Sequence, residues 1–179
     1  MLERSARWRT CTTAVEGRGL SRASGLGAKL GPVLVQLPPT MPCDTSRLDD
    51  TLAAFPRSVR VAVELGHESW LNDAVAEVLR RHGAASCLAD RHGALPPLWR
   101  TADWGYVRFH EGRARPAPRY GRAALQGWAD RIAEIFGNGR TVYAYFNNDT
   151  DGSAPHDAVA FARACRRARL RAPLAAGRD

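Results

Sequence analysis

Five short apolar runs recur along the chain, separated by stretches long enough to hold a helix or a crossover loop. Most runs are rich in Val, Leu, Tyr or Phe and are bounded by Gly, Pro or Asp, a pattern that is typical of buried β-strands. The predicted strands are PVLVQL (32–37), RVAVEL (60–65), ASCLAD (85–90), WGYVRF (104–109) and TVYAYF (141–146).

Helical periodicity fills most of the intervals between these strands. Leu48, Leu52 and Phe55 lie on one stripe, and Asp44 or Thr45 is a suitable N-cap before them. The proline-rich segment 91–103 instead predicts a non-helical connection, which is still long enough for a parallel crossover. The predicted helices cover residues 45–55, 70–82 (following Ser69), 123–136 and 154–169.

The alternation of strands and helices predicts an α/β protein with a parallel sheet and right-handed crossovers. Side chains two positions apart share a face of a strand, and one face of each predicted strand turns polar at its carboxyl end. In strand 85–90 this pattern places Leu88 and Asp90 on the polar face, opposite Cys87. Parallel strands bring their carboxyl ends together, and α/β proteins bind ligands there, so we expect a polar pocket rim. The rim residues are Gln36, Glu64, Asp90, Arg108 with His110, and Asn147.

The composition fits one domain of 179 residues, since 45% of the residues are apolar and can form a core. No run reaches the roughly 18 apolar residues of a membrane span, and the N-terminus lacks the apolar block of a signal peptide. The four cysteines are scattered without a C-x-x-C pair, which is typical of reduced thiols. We therefore expect a cytoplasmic protein with no membrane partner.

The net charge of +8 and the pI near 10.1 raise the alternative of a nucleic-acid-binding protein. The charge lies at the two ends, because residues 1–31 carry +4 and residues 159–179 carry +5, whereas residues 32–158 carry −1. A nearly neutral middle argues against a basic binding face. Nucleic-acid binding is therefore the weaker hypothesis, and it depends on the basic ends.

Several stretches also match a known pattern, and on them the chain resembles the YecE-like family, which is catalogued as domain of unknown function 72. The resemblance covers roughly residues 21–168. It implies a TIM-type (β/α) barrel and no established reaction. The matching stretches are LGPVLVQLPP (30–39), AVELGHESW (62–70), TADWGYVRFHEG (101–112), RYGRAALQGWADRI (119–132) and VYAYFNNDTDGSAPHDA (142–158).

Two positions depart from what the resemblance implies. The family's second strand usually reads Glu-Phe-Arg-His where this chain has Glu64-Leu65-Gly66-His67, so an arginine expected beside the pocket is missing. An Asn expected near the start of the last helix is replaced by Asp157.

The chain is also short, because a full barrel has eight strands and about 250 residues. The five clear strands match the C-terminal portion of the family, and TCTTAV (10–15) is a weak further candidate. We expect an N-terminally truncated member, with an inactive fragment as one alternative. The predicted organisation is a basic segment 1–31 that is partly helical or disordered, a partial (β/α) barrel over 32–169, and a basic tail 170–179.

The predicted catalytic residues are Glu64, Asp90 and His110. The two carboxylates end consecutive predicted strands, and paired carboxylates in unequal environments divide the acid and base roles. Imidazole titrates near neutrality and is a third candidate. The alternative is that both carboxylates accept backbone N–H bonds and hold loops.

The predicted substrate-binding residues centre on Arg108, whose guanidinium is suited to carboxylate or phosphate. An internal ion pair between Arg108 and Glu64 or Asp90 is the alternative. Asn148 lies on the other face of its strand, which favours a turn residue. The remaining members of the predicted binding set are Gln36, His67, Tyr145, Asn147 and Asn148.

Glu64, His67, Asp90 and His110 also include residue types that bind divalent metals. No motif such as H-E-x-x-H joins them, so the sequence predicts no metal site and identifies no cofactor. The hypothesis is a barrel protein that binds or processes a small polar or anionic substrate by carboxylate acid/base chemistry. The oligomeric state stays open.

Overall fold

The computed structural model describes residues 25–91, 95–110, 112–115 and 117–172. They divide into two compact units with the boundary between Ala84 and Ala85. Five parallel strands and their helices confirm the predicted class, an α/β protein of the partial (β/α)-barrel type. The elements of these described residues are β1 (Val33–Gln36), α1 (Thr45–Ala53), β2 (Val61–Glu64), α2 (Asp73–Arg81), β3 (Ala85–Asp90), β4 (Gly105–Phe109), α3 (Arg122–Phe136), β5 (Val142–Phe146) and α4 (Ser153–Arg167).

The first unit contains the parallel pair β1 and β2. Their register runs from Val33 opposite Val61 to Gln36 opposite Glu64, so the predicted faces of both strands are confirmed. The apolar face of β1 and β2 is buried, and so are the apolar residues on one side of α1 and α2, as the helical periodicity of the sequence predicts. The buried apolar residues include Val35, Leu37, Leu48, Leu52, Val61, Val63, Val75 and Leu79.

Side-chain caps determine where the two helices of this unit begin. The Asp44 carboxylate accepts the backbone N–H of Arg47 at 3.0 Å, which confirms Asp44 as the cap of α1. The start of α2 is later than predicted, because Asn72 accepts the N–H of Val75 and Ser69 belongs to a short 3₁₀ turn, Glu68–Trp70. Within that turn, Trp70 is fully buried and donates its indole N–H to Met41 O at 2.8 Å.

The second unit contains strands β3, β4 and β5, paired in that order and all parallel. One face of these strands packs on α3 and α4 around Phe109, which contacts the rings of Trp128, Phe146 and Phe161. The buried cluster consists of Leu88, Val107, Phe109, Tyr120, Leu125, Trp128, Ala129, Ile132, Phe136, Phe161, Ala164 and Cys165.

The register of β3 corrects one prediction about its faces. Leu88 lies opposite Val107 and Asp90 lies opposite Phe109, so both belong to the helix-facing side. Cys87 instead lies opposite Tyr106, on the other side. Leu88 is the only large apolar residue of β3, and its burial stabilises the fold by about 1.5–3 kcal/mol, more than the burial of a smaller side chain. Packing therefore reverses the orientation that the polar end of the strand suggested.

The connection between β3 and β4 agrees with the sequence pattern. The described residues of segment 91–103 form no helix, as its prolines predict. The weak strand candidate at residues 10–15 lies outside the described residues, and the predicted boundaries at residues 31 and 169 stay predictions. None of the helices in the described ranges combines the length and the apolar character needed to cross a membrane.

Candidate functional site

The carboxyl ends of β4 and β5 bring Arg108 and Asn147 into direct contact. Arg108 Nε donates to Asn147 Oδ1 at 3.1 Å, and the backbone N–H of Asn147 donates to Phe109 O at 2.8 Å. The first bond fixes the plane of the guanidinium, and the second fixes the backbone that carries the amide. Arg108 is half-buried, so it lies where an anion from solvent can reach a partly desolvated cation.

Aromatic rings flank this pair on the same face of the strands. Tyr106 and Tyr145 stack with ring centroids 4.9 Å apart, and Tyr145 is 39% exposed. Burial raises the pKa of Tyr106 to about 12, so its hydroxyl stays protonated at neutral pH. An apolar ring surface beside the cation favours ligands that combine an anionic group with a flat or apolar part.

His110 follows β4 directly, and its environment keeps the imidazole neutral. Its backbone N–H donates to Asp90 O at 3.2 Å, which places it beside the end of β3. The pKa of His110 is lowered from 6.5 to about 4, first by burial and then by the positive charges of Arg108 and Arg91, which Asp90 partly opposes. A neutral imidazole donates a hydrogen bond from one nitrogen and accepts at the other.

Asp90 is the predicted catalytic residue that the structure separates from Arg108. Its carboxylate accepts the indole N–H of Trp128 at 3.1 Å, on the side where β3 packs against α3. This bond supports a structural role for Asp90, because it gives the buried indole N–H of Trp128 a hydrogen-bond acceptor where β3 contacts α3. The catalytic role of Asp90 stays a prediction, and the geometry does not favour it.

Asn148 belongs to a buried polar network in the second unit. Its Nδ2 donates to Pro118 O at 2.9 Å and to Asp157 Oδ2 at 2.7 Å. Asp157 also accepts the backbone N–H of Tyr120, and both Asn148 and Asp157 are at most 2% exposed. The network joins the chain after β5 to the loop before α3. Asn148 therefore stabilises the loop, and its predicted role in substrate binding is not supported by these contacts.

In the first unit, Gln36 and Glu64 form a polar pair at the ends of β1 and β2. Gln36 Nε2 donates to Glu64 Oε1 at 3.3 Å, and Glu64 is only 1% exposed whereas Gln36 is exposed. A buried carboxylate with an amide partner is a reasonable acid/base or binding group. Its predicted catalytic role stays a prediction.

His67, three residues after β2, caps the turn that follows. His67 Nδ1 accepts the backbone N–H of Ser69 at 3.1 Å and lies 2.8 Å from Ser69 Oγ. Because Nδ1 accepts a hydrogen bond, the neutral ring carries its proton on Nε2. The predicted binding role of His67 would therefore use an N–H donor.

Gly66 occupies the position where the family resemblance implies an arginine. A Cβ at Gly66 would lie 2.8 Å from the carbonyl carbon of Pro38 and closer still to Leu37 O. The loop after β1 thus fills the space that a side chain would need. In this structure only glycine fits at position 66, which agrees with the absence of the arginine.

Three features around the predicted site residues were not predicted from the sequence. Cys87 lies on the Arg108 side of the strands, and burial raises the pKa of its thiol to about 12. Trp128 and Ser69 are the hydrogen-bond partners of predicted site residues. The isolated Leu88 was a signal for the first of these, because a lone large apolar residue in a strand favours the packed face. The other two contacts join distant or loop positions that no local pattern reveals.

Metal and nucleic-acid hypotheses receive no support from the described residues. Within them, no three His, Cys, Asp or Glu side chains lie close enough together to hold a metal ion. The nucleic-acid alternative depends on two basic ends, of which residues 1–24 and 173–179 lie outside the described ranges, so it stays a prediction, as does the alternative of an inactive fragment.

These features define a class: a partial (β/α)-barrel protein whose strands end in polar side chains. A family model for DUF72, described as a protein of unknown function, matches residues 4–178, so this chain belongs to the DUF72 family. The resemblance inferred from the motifs is therefore confirmed. A comparison with curated proteins gives no match.

Solved structures from two organisms resemble the chain. A DUF72 family protein from Enterococcus faecalis V583 has a TM-score of 0.72 at 16% identity, covering 87% of this chain and 66% of its own. A DUF72 family protein from Thermotoga maritima MSB8 has a TM-score of 0.63 at 25% identity, covering 75% of this chain and 56% of its own. The chain thus spans less than two thirds of the length of these two proteins, and the likeness supports the fold.

Proposed function

We propose that this protein binds a small anionic ligand through Arg108, with Asn147, His110 and Tyr145 as the surrounding contacts. The observation that carries the proposal is the bond from Arg108 Nε to Asn147 Oδ1, which orients a half-buried guanidinium. Orientation in advance lowers the entropy cost of binding a carboxylate or phosphate. The substrate class is a small polar molecule that carries such a group.

The neutral imidazole of His110 suits it to a hydrogen-bonding role beside the anion. A pKa of about 4 means that His110 adds no positive charge at neutral pH, so the attraction comes from Arg108. An anion bound there would favour the imidazolium and raise the pKa of His110. The titration of His110 therefore reports whether a ligand occupies this position.

We further propose that the protein uses acid/base chemistry, and Glu64 is the best candidate for the catalytic acid or base. Glu64 is buried with an amide partner, whereas the Asp90 carboxylate is engaged by Trp128. Gln36 and His67 accompany Glu64 in the first unit as proposed binding residues. That these groups share one pocket with Arg108 stays a prediction.

Inorganic phosphate is a suitable probe, titrated at constant ionic strength against chloride. Binding should raise the pKa of His110 measured by NMR, and Arg108→Gln should weaken phosphate binding by about tenfold to a hundredfold, since a charge-assisted bond is worth about 1.5–3 kcal/mol. Arg163→Gln removes the same charge from an exposed position on α4 and should leave binding unchanged. Equal loss in both variants, or phosphate binding without a response of His110, would overturn the proposal.

A further inference from the structure

We propose that the anion bound at Arg108 belongs to an aromatic ligand, and that Tyr145 selects this ligand by stacking on its ring. The proposal rests on the proposed function, because it needs an anion at Arg108. It adds the substrate class, which is a phosphate or carboxylate joined through a short linker to a flat ring. The observations that carry it are the stack of Tyr106 on Tyr145 and the register of β4 and β5.

The register of these strands places an aromatic ring beside the cation. Arg108 of β4 lies directly opposite Tyr145 of β5. Neighbouring strands lie about 4.8 Å apart, and side chains at paired positions share a face of the sheet. The Tyr145 ring and the guanidinium that is bonded to Asn147 therefore extend from adjacent positions on one face. A ligand whose anion binds Arg108 has its next few atoms beside Tyr145.

The neighbouring tyrosine fixes the orientation of the Tyr145 ring. Tyr106 is only 6% exposed, and its ring centroid lies 4.9 Å from that of Tyr145, with 27° between the ring planes. A buried stacking partner orients Tyr145 in advance, which lowers the entropy cost of binding a ligand against it. Because Tyr106 covers one face of Tyr145, the exposed 39% of Tyr145 consists of the other face and the edges. This surface suits a flat ring.

The strands β4 and β5 by themselves determine this arrangement. All five residues of β4 have partners on β5, and the bond from Asn147 N to Phe109 O continues the pairing at 2.8 Å. Arg108 and Tyr145 lie at the carboxyl end of the pairing, where α/β proteins bind ligands. The position of Tyr145 beside Arg108 therefore needs no further strand.

The site should distinguish an aromatic anion from an aliphatic anion of equal size and charge. A stacked aromatic pair contributes binding energy beyond the burial of its area, because the charge distributions of the two rings are complementary. The Arg108 guanidinium also attracts the π face of a ring within about 6 Å. An aliphatic ring buries a similar area but gains neither contribution.

Phenyl phosphate and cyclohexyl phosphate are matched probes, because they carry the same anion and rings with the same number of carbon atoms. Isothermal titration calorimetry of the full chain at constant ionic strength should show tighter binding of phenyl phosphate by about two- to tenfold, the range that an aromatic stack contributes. Tyr145→Leu keeps an apolar side chain and should abolish this preference. Tyr145→Phe keeps the ring and should retain it. Circular dichroism verifies that each variant is folded.

Arg108→Gln distinguishes a failure of this proposal from a failure of the proposed function. The variant should weaken the binding of both esters, and a loss of neither would overturn the proposed function together with the aromatic substrate class. If both esters require Arg108 but bind equally tightly, an anion binds there and the aromatic class is wrong. A preference for phenyl phosphate that survives in Tyr145→Leu, or disappears in Tyr145→Phe, would overturn the role of the Tyr145 ring.

Discussion

At the scale of single residues, the side chains at the strand ends differ in function because their partners differ. Arg108 is oriented by an amide on the neighbouring strand, whereas Asp90 accepts a bond from Trp128 on a helix. Asn147 and Asn148 are adjacent and of the same type, yet the first is exposed beside Arg108 and the second is buried. Residue type alone therefore does not decide which of these groups can bind a ligand.

The titration of His110 is a direct test of the electrostatics at this site. Its pKa of about 4 in the folded protein should appear in an NMR titration of the imidazole signals. Arg108→Gln should raise that pKa without restoring 6.5, because burial is the larger cause. Arg163→Gln on the exposed face of α4 should have no effect, and an unchanged titration in Arg108→Gln would contradict the assigned cause.

The same shift predicts how stability depends on pH. The unfolded chain binds a proton at His110 near pH 6.5, whereas the folded chain does so only near pH 4. Between these values the unfolded state holds more protons, so this residue lowers the free energy of unfolding as the pH falls through this window. Urea unfolding at several pH values should show a smaller decrease in His110→Gln.

At the scale of elements, loops and helices are joined by specific polar contacts. His82 Nε2 lies 2.6 Å from Asp49 Oδ1, which connects the end of α2 to α1. The Asp157 carboxylate accepts the N–H of Tyr120 and so connects α4 to the loop before α3. These contacts join elements that are distant in sequence, so no local pattern reveals them.

The loop after β1 provides a prediction about Gly66. Gly66→Ala should lower the free energy of unfolding by about 1–3 kcal/mol, because the added methyl would overlap the backbone of Leu37 and Pro38. Gly139→Ala is the matched control, since no atom lies within 4 Å of a Cβ there. Urea unfolding compares the two variants, and equal stability would show that the loop yields without cost.

At the scale of the whole molecule, the chain has the DUF72 fold and spans part of its relatives. It covers 66% of the Enterococcus faecalis protein and 56% of the Thermotoga maritima protein. In the described residues, β5 lies at the end of the strand order.

The sequence alone was sufficient to predict the class of the fold, the family, and the five strands and four helices of the described residues. These follow from local periodicity and turn residues, which act within a few positions of the chain. It also placed Arg108 and Asn147 together, because both faces of β4 and β5 show clear alternation.

The sequence did not predict the orientation of β3, the start of α2 or the partners of Asp90, Asn148 and Gly66. The start of α2 is set locally by the Asn72 cap. The other contacts come from residues distant in sequence: Leu88 is buried in the cluster that contains Val107 and Phe109, Trp128 engages Asp90, and the backbone of Leu37 fills the space at Gly66. Packing energy between distant elements outweighs a weak local pattern, and no pattern in one strand records it.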